Sequence, residues 1–68
     1  LQLYPQLGGD GINCGILAIL HVTAVAHGVR PGTVDTAAYE ASYGTRISRA
    51  RKAIRNGDIL ELIEAASM

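Results

Sequence analysis

The residues with the clearest chemical potential lie near the start of the chain, where a glycine-rich loop runs into an apolar stretch. Cys14 is the only cysteine in the sequence and directly follows that loop. A thiol at the first turn of a helix becomes a nucleophile readily, because the helix N–H groups and dipole favour the thiolate. The alternative is a small buried hydrophobic residue, the commoner role of an isolated cysteine. The position at an expected helix start favours the nucleophile.

Two histidines follow on the same apolar stretch, and we expect neither to act as the base for Cys14. His21 is seven residues further along the expected helix, about 10 Å away at ~1.5 Å per residue, whereas a base needs hydrogen-bond reach of about 3 Å. His27 is further still. Both are expected at the edge of the core, and one Cys with two separated His does not make a zinc site. We therefore expect no metal and no cofactor.

Local sequence signals predict the elements that position these residues. The alternation of Leu1–Tyr4, stopped by Pro5, is typical of a short strand. Asn13 is a good N-cap for a helix from Cys14 to about His27, which Gly28 would end. Because this helix is apolar on every side, we expect it at the centre of a core.

The second half of the chain predicts three further helices separated by glycines. A short helix over 35–43 would be closed by Gly44, and a helix from Thr45 to Arg55 would carry Ile47, Ala50 and Ile54 on its inner face. Asp58, with Glu61 three residues on, would cap a last helix. The apolar face of that helix comprises Ile59, Leu62, Ile63 and Ala66.

Composition limits the classes of function. The chain has 68 residues, six basic and six acidic, so one domain is the most it can form and no overall field attracts nucleic acid or a membrane surface. The apolar stretch of about 14 residues is shorter than the roughly 20 that a bilayer requires. Residues 1–28 carry only Asp10 as a formal charge, which predicts burial within a larger body. A single thiol favours a reducing, intracellular compartment, nucleus or cytoplasm.

The basic residues cluster in the second half of the chain. They are Arg46, Arg49, Arg51, Lys52 and Arg55. A solvated face paired with Glu61 and Glu64 is the favoured interpretation, and a contact for an acidic partner is the alternative.

The order Pro5-Gln6, glycine loop, Asn13-Cys14-Gly15 and apolar helix resembles the active-site region of the SUMO-specific proteases, a cysteine protease family related to adenain. The family pattern is a Gln, a short loop, then Asp-Cys-Gly and aliphatic residues, and an Arg-containing helix follows the nucleophile helix. Asn13 replaces the usual Asp, and Gln6 lies eight residues before Cys14, about two more than is typical of the family.

The resemblance implies an α+β, papain-like fold, of which residues 1–68 would be a mostly helical C-terminal part with one short strand. It implies cysteine-type peptidase activity on ubiquitin-like or SUMO precursors and isopeptide conjugates. Cys14 would be the nucleophile, Gln6 an oxyanion-hole donor beside the Cys14 N–H, and Asn13 and Gly15 binding residues, with Gly15 letting substrate approach the thiol. The catalytic His would lie upstream, in the rest of the same domain, so these 68 residues alone would be inactive.

Other interpretations of the same residues stay open. Gln6 could be a loop amide in solvent, Asn13 only a cap, and Gly15 a tolerated glycine. The segment Gly9–Cys14 nearly matches a dinucleotide-binding G-x-G-x-x-G but lacks the third glycine. The alternative to an enzyme is a catalytically dead remnant that acts as a binding or structural module.

Overall fold

Three helices form the secondary structure of the computed structural model, which describes residues 3–33 and 35–68. Helix α1 spans Cys14–His27, α2 spans Thr36–Asn56 and α3 spans Ile59–Ser67. Helix α3 packs against both other helices, whereas α1 and α2 contact each other less. The radius of gyration is 10.8 Å, close to the ~11 Å expected for a compact chain of this length.

The predicted α+β, papain-like fold class is wrong: the part of the chain that the structure describes contains helices and no strand. Leu1 and Gln2 of the predicted strand lie outside the described residues, and Leu3 and Tyr4 form a bend. Tyr4 is only 3% exposed, and its hydroxyl donates to the Ala66 carbonyl at 2.6 Å. Side-chain contacts with the helices, rather than a neighbouring strand, therefore hold this segment.

The predicted bounds of α1 are confirmed. Gly28 ends the helix in the left-handed conformation, with φ of 67°, and its N–H points to the carbonyls of the last turn. Burial differs from the expectation of a central helix. One side of α1 is buried, through Leu17, Leu20, Thr23 and Ala24, while Val22 and Val25 on the other side are 64% and 65% exposed.

Helix α2 is one continuous helix, so the predicted break at Gly44 is wrong. Asp35 caps its start by accepting from the Ala38 N–H at 2.7 Å, and Gly57, with φ of 65°, ends it. A glycine inside a helix costs about 1 kcal/mol. Buried residues on both sides of Gly44, Tyr39 before it and Ile47 after it, outweigh that cost because both pack into the same core.

Helix α3 begins as predicted, with the Asp58 carboxylate accepting from the Glu61 N–H at 3.1 Å. Small side chains let α2 and α3 approach closely: Ala50, Ala53, Ala65 and Ala66 are at most 2% exposed. The predicted inner faces hold only in part, because Ile59 and Ile54 are largely exposed. The hydrophobic core comprises Tyr4, Leu17, Leu20, Ala24, Tyr39, Ile47, Ala50, Ala53, Leu62, Ala65 and Ala66.

The side chain of Arg46 is completely buried, contrary to its expected place on a solvated face. Its Nε donates to the Ala65 carbonyl at 3.2 Å and its Nη2 to the Thr33 hydroxyl at 3.2 Å and to the Met68 oxygen. Its guanidinium carbon lies 5.4 Å and 5.1 Å from the ring centres of Tyr4 and Tyr39.

These contacts complete the C-terminal end of α3, whose last carbonyls have no partner inside the helix. Arg46 and Tyr4 donate to two of them, and the N–H of Gly32 donates to the Ser67 and Met68 oxygens at 2.9 and 2.8 Å. A positive charge is favourable at this end of a helix dipole. Arg46 therefore acts as a cap that α2 supplies to α3.

Candidate functional site

Cys14 is the first residue of α1, and its thiol is exposed to solvent. Asn13 occupies the N-cap position that was predicted, but its side chain accepts no hydrogen bond from the first turn. The backbone N–H groups of the first turn therefore donate no hydrogen bond to the Asn13 side chain. An uncapped helix N-terminus attracts negative charge, such as a thiolate or an oxyanion.

A groove of about 330 Å³ runs along α1 from the thiol. Its size is at the lower end of the range for small-ligand sites. The structure thus brings Cys14 and Gln6, two of the predicted site residues, onto one surface. The groove is lined by Tyr4, Gln6, Cys14, Leu17, Ala18, His21 and Val22.

The carboxamide of Gln6 is held by its own loop, since Nε2 donates to the backbone carbonyl of Asp10. A carboxamide NH₂ has two donors, and this contact uses one of them. The second donor is the one that could stabilise an oxyanion beside Cys14. The side chain is thereby fixed at one point while it lines the groove.

Asp10 lies at the centre of the loop's hydrogen bonds. Its carboxylate accepts from the backbone N–H groups of Ile12 and Asn13, each at 3.2 Å, and from the Asn13 carboxamide at 3.1 Å. The Tyr43 hydroxyl also donates to it. This bond from Tyr43, followed by those from Asn13 and Ile12, holds the pKa of Asp10 below its usual value.

Helix α2 holds the loop at three points. Tyr39 donates its hydroxyl to the Pro5 carbonyl at 2.6 Å, Tyr43 donates to Asp10, and Arg51 donates to the Asn13 carboxamide oxygen at 2.5 Å. Burial, and then the bond to Asp10, raises the pKa of Tyr43. Asn13 therefore bridges Asp10 and Arg51 instead of capping α1.

The other residues singled out from the sequence lie as follows. Gly15 is exposed, and a Cβ added there would meet no atom within 4 Å, so access to the thiol is open on that side. His21 lines the groove, two helical turns from Cys14, and His27 is exposed at the end of α1. Within residues 3–33 and 35–68, no group of three or more His, Cys, Asp or Glu is arranged to hold a metal ion.

The basic cluster divides between three environments. Arg49 pairs with Glu61 at 2.8 Å and with Glu64 at 3.1 Å, as the favoured interpretation predicted. The bond from Arg49 is the main cause of the lowered pKa of Glu61. Arg46 is buried and Arg51 contacts the loop, so the cluster is not one continuous basic surface.

Sequence reasoning did not assign Asp10, Tyr43 or Arg51 to this site. Asp10 carried a signal, because an Asp three residues before a helix-start Asn can accept from the backbone of the turn between them. Tyr43 and Arg51 are 33 and 38 residues away from their partners, and no local pattern indicates such contacts.

Among the described residues, no helix is both long and apolar enough to cross a lipid bilayer. Comparison of the sequence and structure with known protein families, curated proteins and solved structures found no match. The resemblance to the SUMO-specific proteases therefore remains a prediction carried by the motif around Cys14.

Proposed function

We propose that this chain supplies the nucleophile and the oxyanion donors of a cysteine-type peptidase that acts on ubiquitin-like precursors or conjugates. One observation carries the proposal: the exposed Cys14 thiol, at an uncapped helix N-terminus, shares a groove with the Gln6 carboxamide. The substrate class comes from the motif Gln6 to Gly15.

In this mechanism the Cys14 sulfur attacks the scissile carbonyl carbon, and the carbonyl electron pair moves onto oxygen. The backbone N–H of Cys14 and the second N–H of Gln6 donate to that oxyanion, which they stabilise more than the neutral carbonyl. Leu17 and Val22 provide apolar walls along the groove for the neighbouring substrate residues.

A general base must take the thiol proton and later protonate the leaving amine. His21 lies on the groove, but its separation of about 10 Å along the helix exceeds direct hydrogen-bond reach. The proposal therefore assigns the base to a histidine from outside these residues. The chain alone is expected to bind an electrophile at Cys14 without turning over a peptide substrate.

Reversible binding of a peptide aldehyde ending in glycinal tests the proposal without needing that base. The thiol adds across the aldehyde: an S–C bond forms, the carbonyl π bond opens, and the oxygen takes the thiol proton. We expect Gln6→Ala to weaken this affinity about three- to tenfold, as loss of one hydrogen bond does. Cys14→Ser is the blank, and equal affinities of wild type and Gln6→Ala would contradict the oxyanion role.

A second candidate function, a non-catalytic binding module, is favoured by a separate surface. Ile19, Ile54 and Ile59 line an apolar groove of about 260 Å³ between the helices, and Val25 is exposed on α1. Apolar surface of this kind commonly marks a contact with another protein. Aldehyde affinity no greater than that of a free thiol peptide, with a well-folded chain, would favour this function.

A further inference from the structure

The loop that carries Gln6 and leads to Cys14 has little stiffness of its own. It contains three glycines, and Gly9 adopts a positive φ of 89°. Glycine has the largest conformational freedom of any residue, so ordering such a loop requires contacts from elsewhere. Asp10 is where those contacts meet.

Asp10 connects the two residues of the proposed thiol site. Its backbone carbonyl accepts from the Gln6 carboxamide, and its carboxylate accepts from Asn13, the residue directly before Cys14. Tyr43 of α2 donates to the same carboxylate. A displacement of Asp10 would therefore move the Gln6 donor and the start of α1 relative to each other.

We propose that Asp10 and Tyr43 are positioning residues for the thiol site: the Tyr43 hydroxyl fixes Asp10, and Asp10 holds Gln6 and Cys14 in register for one oxyanion. The inference rests on the function proposed above. Neither residue contacts the reacting atoms, and both act through Gln6 and the N-terminus of α1.

The contacts of Tyr43 separate this role from general support of the fold. Its ring packs edge-to-face against Tyr39, with ring centres 5.7 Å apart, while its hydroxyl reaches the loop. Tyr43→Phe therefore removes the contact with Asp10 and keeps the ring. Ser42→Ala is a matched control, because it removes a neighbouring hydroxyl of α2 that donates to the Tyr39 carbonyl within the helix and not to the loop.

The test compares glycinal peptide affinity with the rate of Cys14 alkylation by iodoacetamide. Alkylation forms no oxyanion, so a positioning role and a general loss of folding affect the two measurements differently. We expect Tyr43→Phe to weaken aldehyde affinity about three- to tenfold, the range for one lost hydrogen bond, while the alkylation rate changes by less than about twofold. Ser42→Ala should leave the aldehyde affinity within about twofold of wild type.

A second variant keeps the test informative if Tyr43→Phe reduces folding. Asp10→Asn keeps the shape of the side chain and removes its charge, and it should weaken aldehyde affinity as well. Because both single variants weaken or remove the bond between Tyr43 and Asp10, their effects should not add. The affinity of the double variant should lie within about twofold of that of the weaker-binding single variant.

The outcomes distinguish a failure of the positioning role from a failure of the proposed function. A Tyr43→Phe affinity equal to wild type, with Gln6→Ala weaker, would contradict the positioning role alone. Equal affinities of wild type and Gln6→Ala would contradict the proposed function and this inference together. Equal losses in aldehyde affinity and alkylation rate would show that Tyr43 only supports the fold.

Discussion

Replacing the buried Arg46 by methionine should remove much of the stability of the domain. Arg46→Met keeps an unbranched apolar stem and deletes every donor of the guanidinium. The C-terminal end of α3 then loses its cap from α2, although the Met68 oxygen still accepts hydrogen bonds from the N–H groups of Gly32 and Thr33.

The expected cost follows from the individual contacts. Leaving the buried Ala65 carbonyl without its Arg46 partner costs about 1–3 kcal/mol. Loss of the two contacts with the rings of Tyr4 and Tyr39 costs about 1–2 kcal/mol together. Nη1 is a buried nitrogen for which no hydrogen-bond partner is seen among the described residues, so its removal offsets about 1 kcal/mol of the loss in stability. The net loss is about 1–4 kcal/mol, out of the ~3–10 kcal/mol expected for 68 residues.

Urea unfolding followed by circular dichroism measures this loss, and Tm should fall by roughly 5–30 °C. Arg49→Met is the matched control, because Arg49 makes surface ion pairs with Glu61 and Glu64 and should change stability little. An Arg46→Met variant within about 0.5 kcal/mol of wild type would refute the capping role of Arg46.

Further predictions concern the backbone and pH. Gly44→Ala should raise the free energy of unfolding by about 0.5–1 kcal/mol, because residue 44 is helical and a Cβ there would meet no other atom. Gly28→Ala should lower the free energy of unfolding by about 1 kcal/mol, because φ at residue 28 is 67°. If urea unfolding shows that Gly44→Ala is destabilising, the helix is broken at residue 44. Gly32→Ala should cost about 1–3 kcal/mol in the same assay, since its Cβ would lie 2.7 Å from a backbone carbonyl at the end of α3, and unchanged stability would contradict that close packing. The folded state lowers the pKa of Asp10, so the contribution of its carboxylate to folding stability is present above the unfolded pKa of about 3.9 and is lost as the pH falls through the folded pKa. Tyr43→Phe should make stability, measured by urea unfolding, fall less steeply at acid pH. An identical pH profile of stability would argue against the contact between Tyr43 and Asp10.

Local signals predicted the helix ends well because each end depends on neighbouring residues. Asp58 caps α3 through a bond to the residue three positions on, and Gly28 ends α1 by its own φ. The break predicted at Gly44 was wrong because it also relied on a local signal. The low helix propensity of a glycine is outweighed when the residues on both sides of it pack into one core. That packing is a property of the whole fold.

The conformation around Tyr4 and the position of Arg46 could not be predicted from local pattern. Tyr4 takes its place through a bond to Ala66, 62 residues away, so alternation of side chains in that segment carried no information about it. Arginine is usually a surface residue, and the burial of Arg46 depends on the carbonyl groups at the end of α3. Of the site, the motif named Gln6 and Cys14, which line one groove, while the contacts from α2 needed the structure.

The most direct test of the thiol site is the rate at which iodoacetamide alkylates Cys14 in the folded chain, beside a synthetic peptide of residues 6–20. A helix N-terminus attracts the negative charge that develops on an attacking sulfur, so an exposed thiol placed there reacts faster than the same thiol in an unfolded peptide. We expect the folded chain to react about two- to fivefold faster, and to fall to the peptide rate in urea. A folded chain that reacts no faster than the peptide would contradict the assignment of Cys14 as a nucleophile.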